Sequence, residues 1–374
     1  MNSSGVTVVS SKEEKKRFVN FIYPFYKGEK NWVAPLRLDQ KKLVDTEKNP
    51  FFKNAEIKMF LAQKDGNDVG RIAAIIDHRY NDYHDAQTGH FGFFECIDDQ
   101  HTADLLFRVA SDWLRDKGMK DVLGPANPGM MDTIGFLIDG FDKDPYILMP
   151  YNFSYYDELI KNAGFKKAMD LFAYLIDTKT VEVDRMRRAE EIVRRRVPKV
   201  QIRPVNLKKM DREIKLVQKI FNATWKNNWG FIPLSEEEFS ALGKDLKLII
   251  DTDYAHVAEI DGEPVAFSIG LPNINKILKG MNGRLLPFGI FKLLWGKKRI
   301  NELRTALMGV LPEYQGKGID ALLHLRSINN GLESGSKTTS EMSWILETNK
   351  EMIRVAERIG GRLDKTYRMY SKEL

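Results

Sequence analysis

The chain has 374 residues, 43% hydrophobic and 29% charged, the balance of an ordinary water-soluble globular protein with room for about two domains. A net charge of +6 is too mild for a nucleic-acid-binding signature, and a single cysteine excludes an intrachain disulfide. No apolar run is long enough to span a bilayer, and the six histidines lack metal-ligand spacing, so neither a membrane span nor a metal site is expected.

The N-terminal stretch lacks a basic start followed by a long apolar core, so no secretion signal is expected and the protein reads as cytoplasmic. Residues 58–76 read as a β-hairpin with Asp65-Gly66 in the turn. An apolar strand follows at 91–97, then a helix near 102–117 and a strand near 119–125. Cys96 lies inside the apolar run 93–97 and reads as a core residue. The loop 124–135, Gly-Pro-Ala-Asn-Pro-Gly-Met-Met-Asp-Thr-Ile-Gly, is long enough to be functional or to serve packing. Asn152 opens a short helix that ends at Gly164-Phe165, and a strand at 169–176 closes this half.

Residues 180–199 are rich in arginine and end near Pro198, as a basic helix connecting two domains would. The first plan then repeats. A helix at 211–224 leads into Trp225-Lys-Asn-Asn-Trp-Gly-Phe231, whose aromatics and asparagines suit either a small polar ligand or packing. Residues 254–269 read as a second hairpin, with Asp261-Gly262 in the turn. Residues 274–299 interleave large apolar and basic side chains. They suit an insertion packed on its domain, a lid over an acyl chain, or a weak contact with an anionic membrane surface.

The strand at 304–311 stops at Pro312, and Gly316 and Gly318 precede a helix near 319–334. A glycine loop that opens a helix points several N–H groups and the positive end of the helix dipole at one spot, which makes an anion site. The corresponding stretch of the first half, Ile97-Asp-Asp-Gln-His-Thr-Ala-Asp104, has no glycine and carries carboxylates that repel phosphate. A strand at 340–346, a helix from Asn349 to Gly361 and a strand at 362–371 complete the chain.

This order of elements, given twice, resembles the GNAT (Gcn5-related N-acetyltransferase) superfamily. The loop is similar to its pyrophosphate pattern Gln/Arg-x-x-Gly-x-Gly/Ala through Gln315 and Gly318, with Asp320 as a departure. The resemblance covers nearly the whole chain. It implies an α/β fold (α+β mixed sheet) of two tandem GNAT-like acyl-CoA N-acyltransferase domains. Residues 1–180 would be a degenerate copy, 181–199 a basic linker helix, and 200–374 the copy with the acyl-CoA loop.

An enzyme is implied, an acyl-CoA-dependent N-acyltransferase that uses acetyl-CoA or another acyl-CoA as co-substrate. Its acceptor would be a primary amine on a small molecule or peptide. By the same resemblance Met308, Val310 and Leu311 would carry the pantetheine arm. Gln315, Gly316, Lys317, Gly318, Ile319 and Asp320 would surround the pyrophosphate. Asn349 matches a cofactor-touching residue and equally suits a helix N-cap. Glu347 is the candidate catalytic base. The position of the family's acid tyrosine is Ala356, with Tyr367 and Tyr370 as substitutes or packing residues. Two other readings stay open: a non-catalytic CoA- or ligand-binding GNAT-like protein, and a Fem-like aminoacyl transferase using aminoacyl-tRNA.

Overall fold

The computed structural model describes residues 4–285, 289–335 and 338–374. Its strands are β1 (Ser4–Val8), β2 (Ala55–Lys64), β3 (Asn67–Asp77), β4 (Thr88–Cys96), β5 (Asp121–Gly124), β6 (Ala126–Asn127), β7 (Thr133–Ile134), β8 (Phe136–Asp139), β9 (Lys166–Asp177), β10 (Val200–Pro204), β11 (Ala255–Ile260), β12 (Glu263–Pro272), β13 (Glu302–Val310), β14 (Thr339–Leu346) and β15 (Arg362–Glu373). Its helices are α1 (Lys12–Asn20), α2 (Ile22–Phe25), α3 (Arg37–Leu43), α4 (His78–His84), α5 (Gln100–Asp116), α6 (Tyr156–Asn162), α7 (Val183–Arg196), α8 (Met210–Trp225), α9 (Glu236–Leu246), α10 (Asn275–Leu278), α11 (Gly289–Gly296), α12 (Ile319–Ser334) and α13 (Lys350–Arg358).

By contacts the chain forms two units. The first is Met1–Leu171, Leu278–Gly289 and Lys365–Leu374; the second is Phe172–Ile277 and Ile290–Asp364. Both hairpins turn on Asp-Gly with positive φ at each position: 50° and 77° at Asp65 and Gly66, 53° and 83° at Asp261 and Gly262. That handedness matches the twist of the flanking strands in a two-residue hairpin.

In the first unit the strand order is β1-β2-β3-β4-β5-β15. The β4–β5 pair is parallel, from Thr88↔Asp121 to His90↔Leu123, and the other pairs are antiparallel. Helix α5 covers one face, where Phe91, Phe94, Phe107, Phe136, Tyr156 and Phe165 interlock. Past His90 the space beside β4 is filled by the chain itself. Asn127 Oδ1 accepts from the Phe93 N–H (2.5 Å), and a side chain on Gly92 would strike the Ala126 carbonyl. The loop 124–135 is thus a plug beside β4. The N-terminus of α5 is filled too, because Asp99 accepts from the Thr102 N–H at 3.1 Å.

In the second unit the order is β14-β13-β12-β11-β10, with the end of β9 beyond β14. Again one pair, β13–β14, is parallel, and the pairs β10–β11, β11–β12 and β12–β13 are antiparallel. The basic segment forms α7, and it packs inside this unit. Val193 and Val197 enter one apolar cluster with Ile319, Leu322 and Leu323 of α12.

The final strand also departs from the division at 200–374. From Lys365 onward its residues belong to the first unit. There Arg368 makes a two-pronged bond to Asp170 (2.7 and 3.0 Å), and Tyr370 enters the aromatic core and donates to Asp157. Conversely Tyr174 and Ile176 of β9 pack with Ile345, Ala356 and Ile359 of the second unit. A strand's alternation fixes which faces it buries but not beside which neighbour it lies.

Candidate functional site

Strands β13 and β14 run paired only from Glu302↔Thr339 to Thr305↔Met342. At that point the β12–β13 register shifts, Ile269 facing Leu307 and Gly270 facing Thr305, which leaves Ala306 as an extra residue. Such a bulge bends and twists its strand, and β13 then has no partner on β14 among the described residues. A gap opens between two parallel strands.

A buried polar network pins the pair just before it parts. Arg304 Nε donates to Ser343 Oγ (2.9 Å), an Arg304 Nη donates to the Ser343 carbonyl (3.0 Å), and Ser343 Oγ donates to Glu341 (2.8 Å). All three residues are buried, and the Arg304 guanidinium lies 5.3 Å from the Trp344 ring centre. Nothing in the sequence reading assigned this network. Its signal was a charge inside each of two strands, Arg304 in β13 and Glu341 in β14.

Leu311 donates its N–H to the Val265 carbonyl at 2.9 Å, and Gly309 faces Phe267 in register. Backbone alternation therefore turns the N–H and C=O groups of Met308 and Val310 toward the gap. Their carbonyls are met there by side chains. Trp225 Nε1 donates to the Met308 carbonyl (3.1 Å) and Gln315 Nε2 to the Val310 carbonyl (3.0 Å). Of the strand residues expected to carry an arm, Met308 and Val310 thus face the gap. Leu311 spends its N–H on β12. Trp225 reaches β13 because α8 lies close: a side chain on Gly309 would come within 2.8 Å of Thr224 Oγ1.

The loop leaves β13 through a short 3-10 turn, Pro312–Tyr314. Gly316 (φ 71°) and Gly318 (φ 86°) both take the left-handed conformation that L side chains resist. Around Gly316 the space is open, whereas a side chain on Gly318 would meet Val193 Cγ2 of α7 at 2.5 Å. Lys317 is exposed and sits 4.7 Å over the Tyr314 ring. Helix α12 then begins with no side-chain cap, and its first-turn N–H groups have no acceptor among the described residues until Leu322 N bonds the Gly318 carbonyl (3.3 Å). Unsatisfied N–H groups and the positive dipole end are what an anion needs. Helix α5 of the first unit, capped by Asp99, offers no such site.

Asp320 lies in the first turn of α12, and Ile319 is buried beneath it. One turn on, burial pushes the His324 pKa down, offset in part by the Asp320 charge, so its imidazole is neutral at pH 7. Asn349 caps α13 by accepting from the Met352 N–H at 3.1 Å. Glu347 is half-buried in the turn between β14 and α13. Ala356 is fully buried in the apolar cluster with Tyr174, Ile345 and Ile359, so a tyrosine there would have to displace packed neighbours. Tyr367 and Tyr370 both belong to the first unit. A separate polar cavity lined by Glu190, Arg194, Gln201, Arg326 and Asn329 contains none of the loop residues.

No family model matches the chain. Two proteins are similar to it over nearly their whole length. Protein YghO of Escherichia coli K12 is 36% identical over 371 residues, 97% of this chain and 94% of that protein. A bacterial ceramide synthase of Caulobacter vibrioides is 36% identical over 376 residues, 99% and 97% of the two chains. Among solved structures, a tandem GNAT protein from the clavulanic acid biosynthesis pathway superposes with a TM-score of 0.57 at 10% identity, over 99% of this chain and 98% of that one. A GCN5-related N-acetyltransferase from Sphaerobacter thermophilus gives 0.52 at 12% identity, over 98% and 95%. At these identities the structural likeness is one of fold.

Proposed function

Because the chain belongs to the family of protein YghO and the bacterial ceramide synthase and has the tandem GNAT fold, we propose that it is an acyltransferase that joins the acyl group of an acyl-CoA to a primary amine. The observation that carries this reading is the gap between β13 and β14, with the uncapped glycine loop at its end. An extended amide-bearing arm fits beside the edge of β13 that is not paired with β14, where Met308 and Val310 present their N–H groups and Trp225 and Gln315 hold their carbonyls. The pyrophosphate fits the N–H groups from Gly316 to Asp320, with Lys317 adding a charge-assisted contact.

The acyl-CoA supplies a thioester carbonyl. The amine nitrogen attacks that carbon, the C–N bond forms, the C–S bond breaks, and the coenzyme leaves as a thiolate that takes up a proton from solvent. The amine gives up a proton in the process, and Glu347 is the group proposed to receive it. Positioning supplies most of the acceleration in such a transfer. The name of the ceramide synthase relative supports an amphiphilic acceptor, since a ceramide is the fatty amide of a long-chain amino alcohol. It also supports a long-chain acyl donor over acetyl-CoA. The cytoplasm, where acyl-CoA is made, is the proposed compartment.

Ala356 favours a second reading, a CoA-binding protein without turnover, because the buried alanine removes the usual acid. Calorimetric titration with CoA, followed by mass spectrometry after incubation with an acyl-CoA series and long-chain amino alcohols, separates them. Binding with amide formation supports the transferase. Binding without product supports the second reading, and absence of CoA binding refutes both.

A further inference from the structure

Helix α11 holds an apolar face in solvent. Phe291, Leu294 and Trp295, spaced i, i+3 and i+4, are 53%, 49% and 79% exposed, while Leu293 anchors the opposite side at 4%. The Phe291 and Trp295 rings lie 6.2 Å apart, so the face forms one ridge. Leu248, 57% exposed, is tied to the end of the same helix. Lys297 donates to the carbonyls of Leu248 (3.3 Å) and Ile250 (2.8 Å). Exposed cations flank the ridge at Lys292 and Arg299, and α11 itself carries no acidic residue. Residues 286–288 of the stretch 274–299 lie outside the described residues.

We infer that this ridge docks the protein on a bilayer surface that contains anionic phospholipid. Tryptophan, phenylalanine and leucine suit the boundary between headgroups and acyl chains, and lysine and arginine beside them attract anionic headgroups. The ridge is far smaller than the roughly 20–30 residues per side of a stable protein interface. Its contact is peripheral, since no helix among the described residues is long and apolar enough to cross a membrane. The inference stands on the ridge alone and does not need the acyl-transfer reading.

The test is sedimentation of the full chain with two kinds of vesicle, phosphatidylcholine alone and equal parts phosphatidylcholine and phosphatidylglycerol. The expected result is binding to the mixed vesicles that weakens with salt. It should fall at least about tenfold when Phe291, Leu294 and Trp295 are all changed to serine. Because those side chains are exposed, the triple variant should keep its thermal midpoint and its CoA affinity. A second variant, Lys292→Glu with Arg299→Glu, keeps the ridge and should abolish the preference for anionic vesicles. Three results overturn the inference: no sedimentation with either vesicle, equal binding to both, or equal binding by wild type and the triple variant. So does a dimer that the triple variant dissociates in the absence of vesicle binding, which would assign the ridge to a second copy of the chain. CoA titration reads the transferase site separately, so failure of one proposal does not carry the other with it.

Discussion

Gly318 carries two separable constraints, and a double-mutant cycle with Val193 resolves them. Its φ of 86° lies in the left-handed region, where an L side chain costs about 1–2 kcal/mol. Its Cβ position is also 2.5 Å from Val193 Cγ2, too near for any methyl group, and overpacking of that kind costs about 1–3 kcal/mol. Gly318→Ala alone should therefore destabilise the protein by about 2–5 kcal/mol. In a Val193→Ala background the offending Cγ2 methyl is gone, and the residue 193 Cβ stands at an ordinary 3.7 Å. There the same substitution should cost only the backbone part, about 1–2 kcal/mol. The expected coupling is thus about 1–3 kcal/mol between residues far apart in sequence. Urea denaturation of the four proteins measures it, and hydrogen exchange of the Leu322 amide, which bonds the Gly318 carbonyl, localises it. An equal cost of Gly318→Ala in both backgrounds would falsify the packing of α7 against the loop.

Asp320→Ala should lower stability by about 0.3–1 kcal/mol through loss of the dipole contact, while calorimetry shows tighter CoA; weaker CoA at equal folding would mean that Asp320 serves the ligand. Trp225→Phe frees the Met308 carbonyl, so CoA affinity should rise by up to about fivefold, the worth of about 1 kcal/mol, with adenosine 3′,5′-bisphosphate unaffected. An identical change for both ligands would place the arm elsewhere. Arg304→Ala removes the guanidinium that holds Ser343 and, through it, Glu341 in the core, and should cost about 3–5 kcal/mol in denaturation; a loss below about 1 kcal/mol would show that the network does not pin the strands. Burial depresses the pKa of His90 and of His256 from 6.5 to about 4. Their contribution to stability is complete above pH 6.5 and drains away as pH falls toward 4, at roughly 1.4 kcal/mol per pH unit for each histidine. Replacing His90 with phenylalanine should flatten that slope, and an unchanged pH profile would contradict a buried neutral imidazole.

The features legible in the sequence are those written in consecutive residues. Two Asp-Gly pairs specify both hairpin turns, since their positive φ needs no partner. The helix expected near 319–334 is found at Ile319–Ser334, because Gly318 starts it and an apolar stripe carries it. The contrast between an uncapped glycine loop in one half and carboxylates in the other could be read the same way, as local chemistry at a helix start.

Other features depend on which distant segments meet. The arginine-rich stretch reads as a solvated linker, yet Val193 and Val197 seat it against the loop helix. The loop 124–135 reads equally as a functional loop and as packing, and only the fold shows the Phe93 N–H and Gly92 holding it as a plug beside β4. The two repeated plans, their turns and the glycine loop are written locally, because propensity, alternation and backbone freedom act over a few residues. That β15 from Lys365 joins the first unit, that Trp225 and Gln315 meet the carbonyls of β13, and that Arg304 finds Ser343, which in turn bonds Glu341, follows from long-range packing. Those pairings are chosen by burial and hydrogen-bond satisfaction across long stretches of chain, and alternation along one strand cannot name its neighbour.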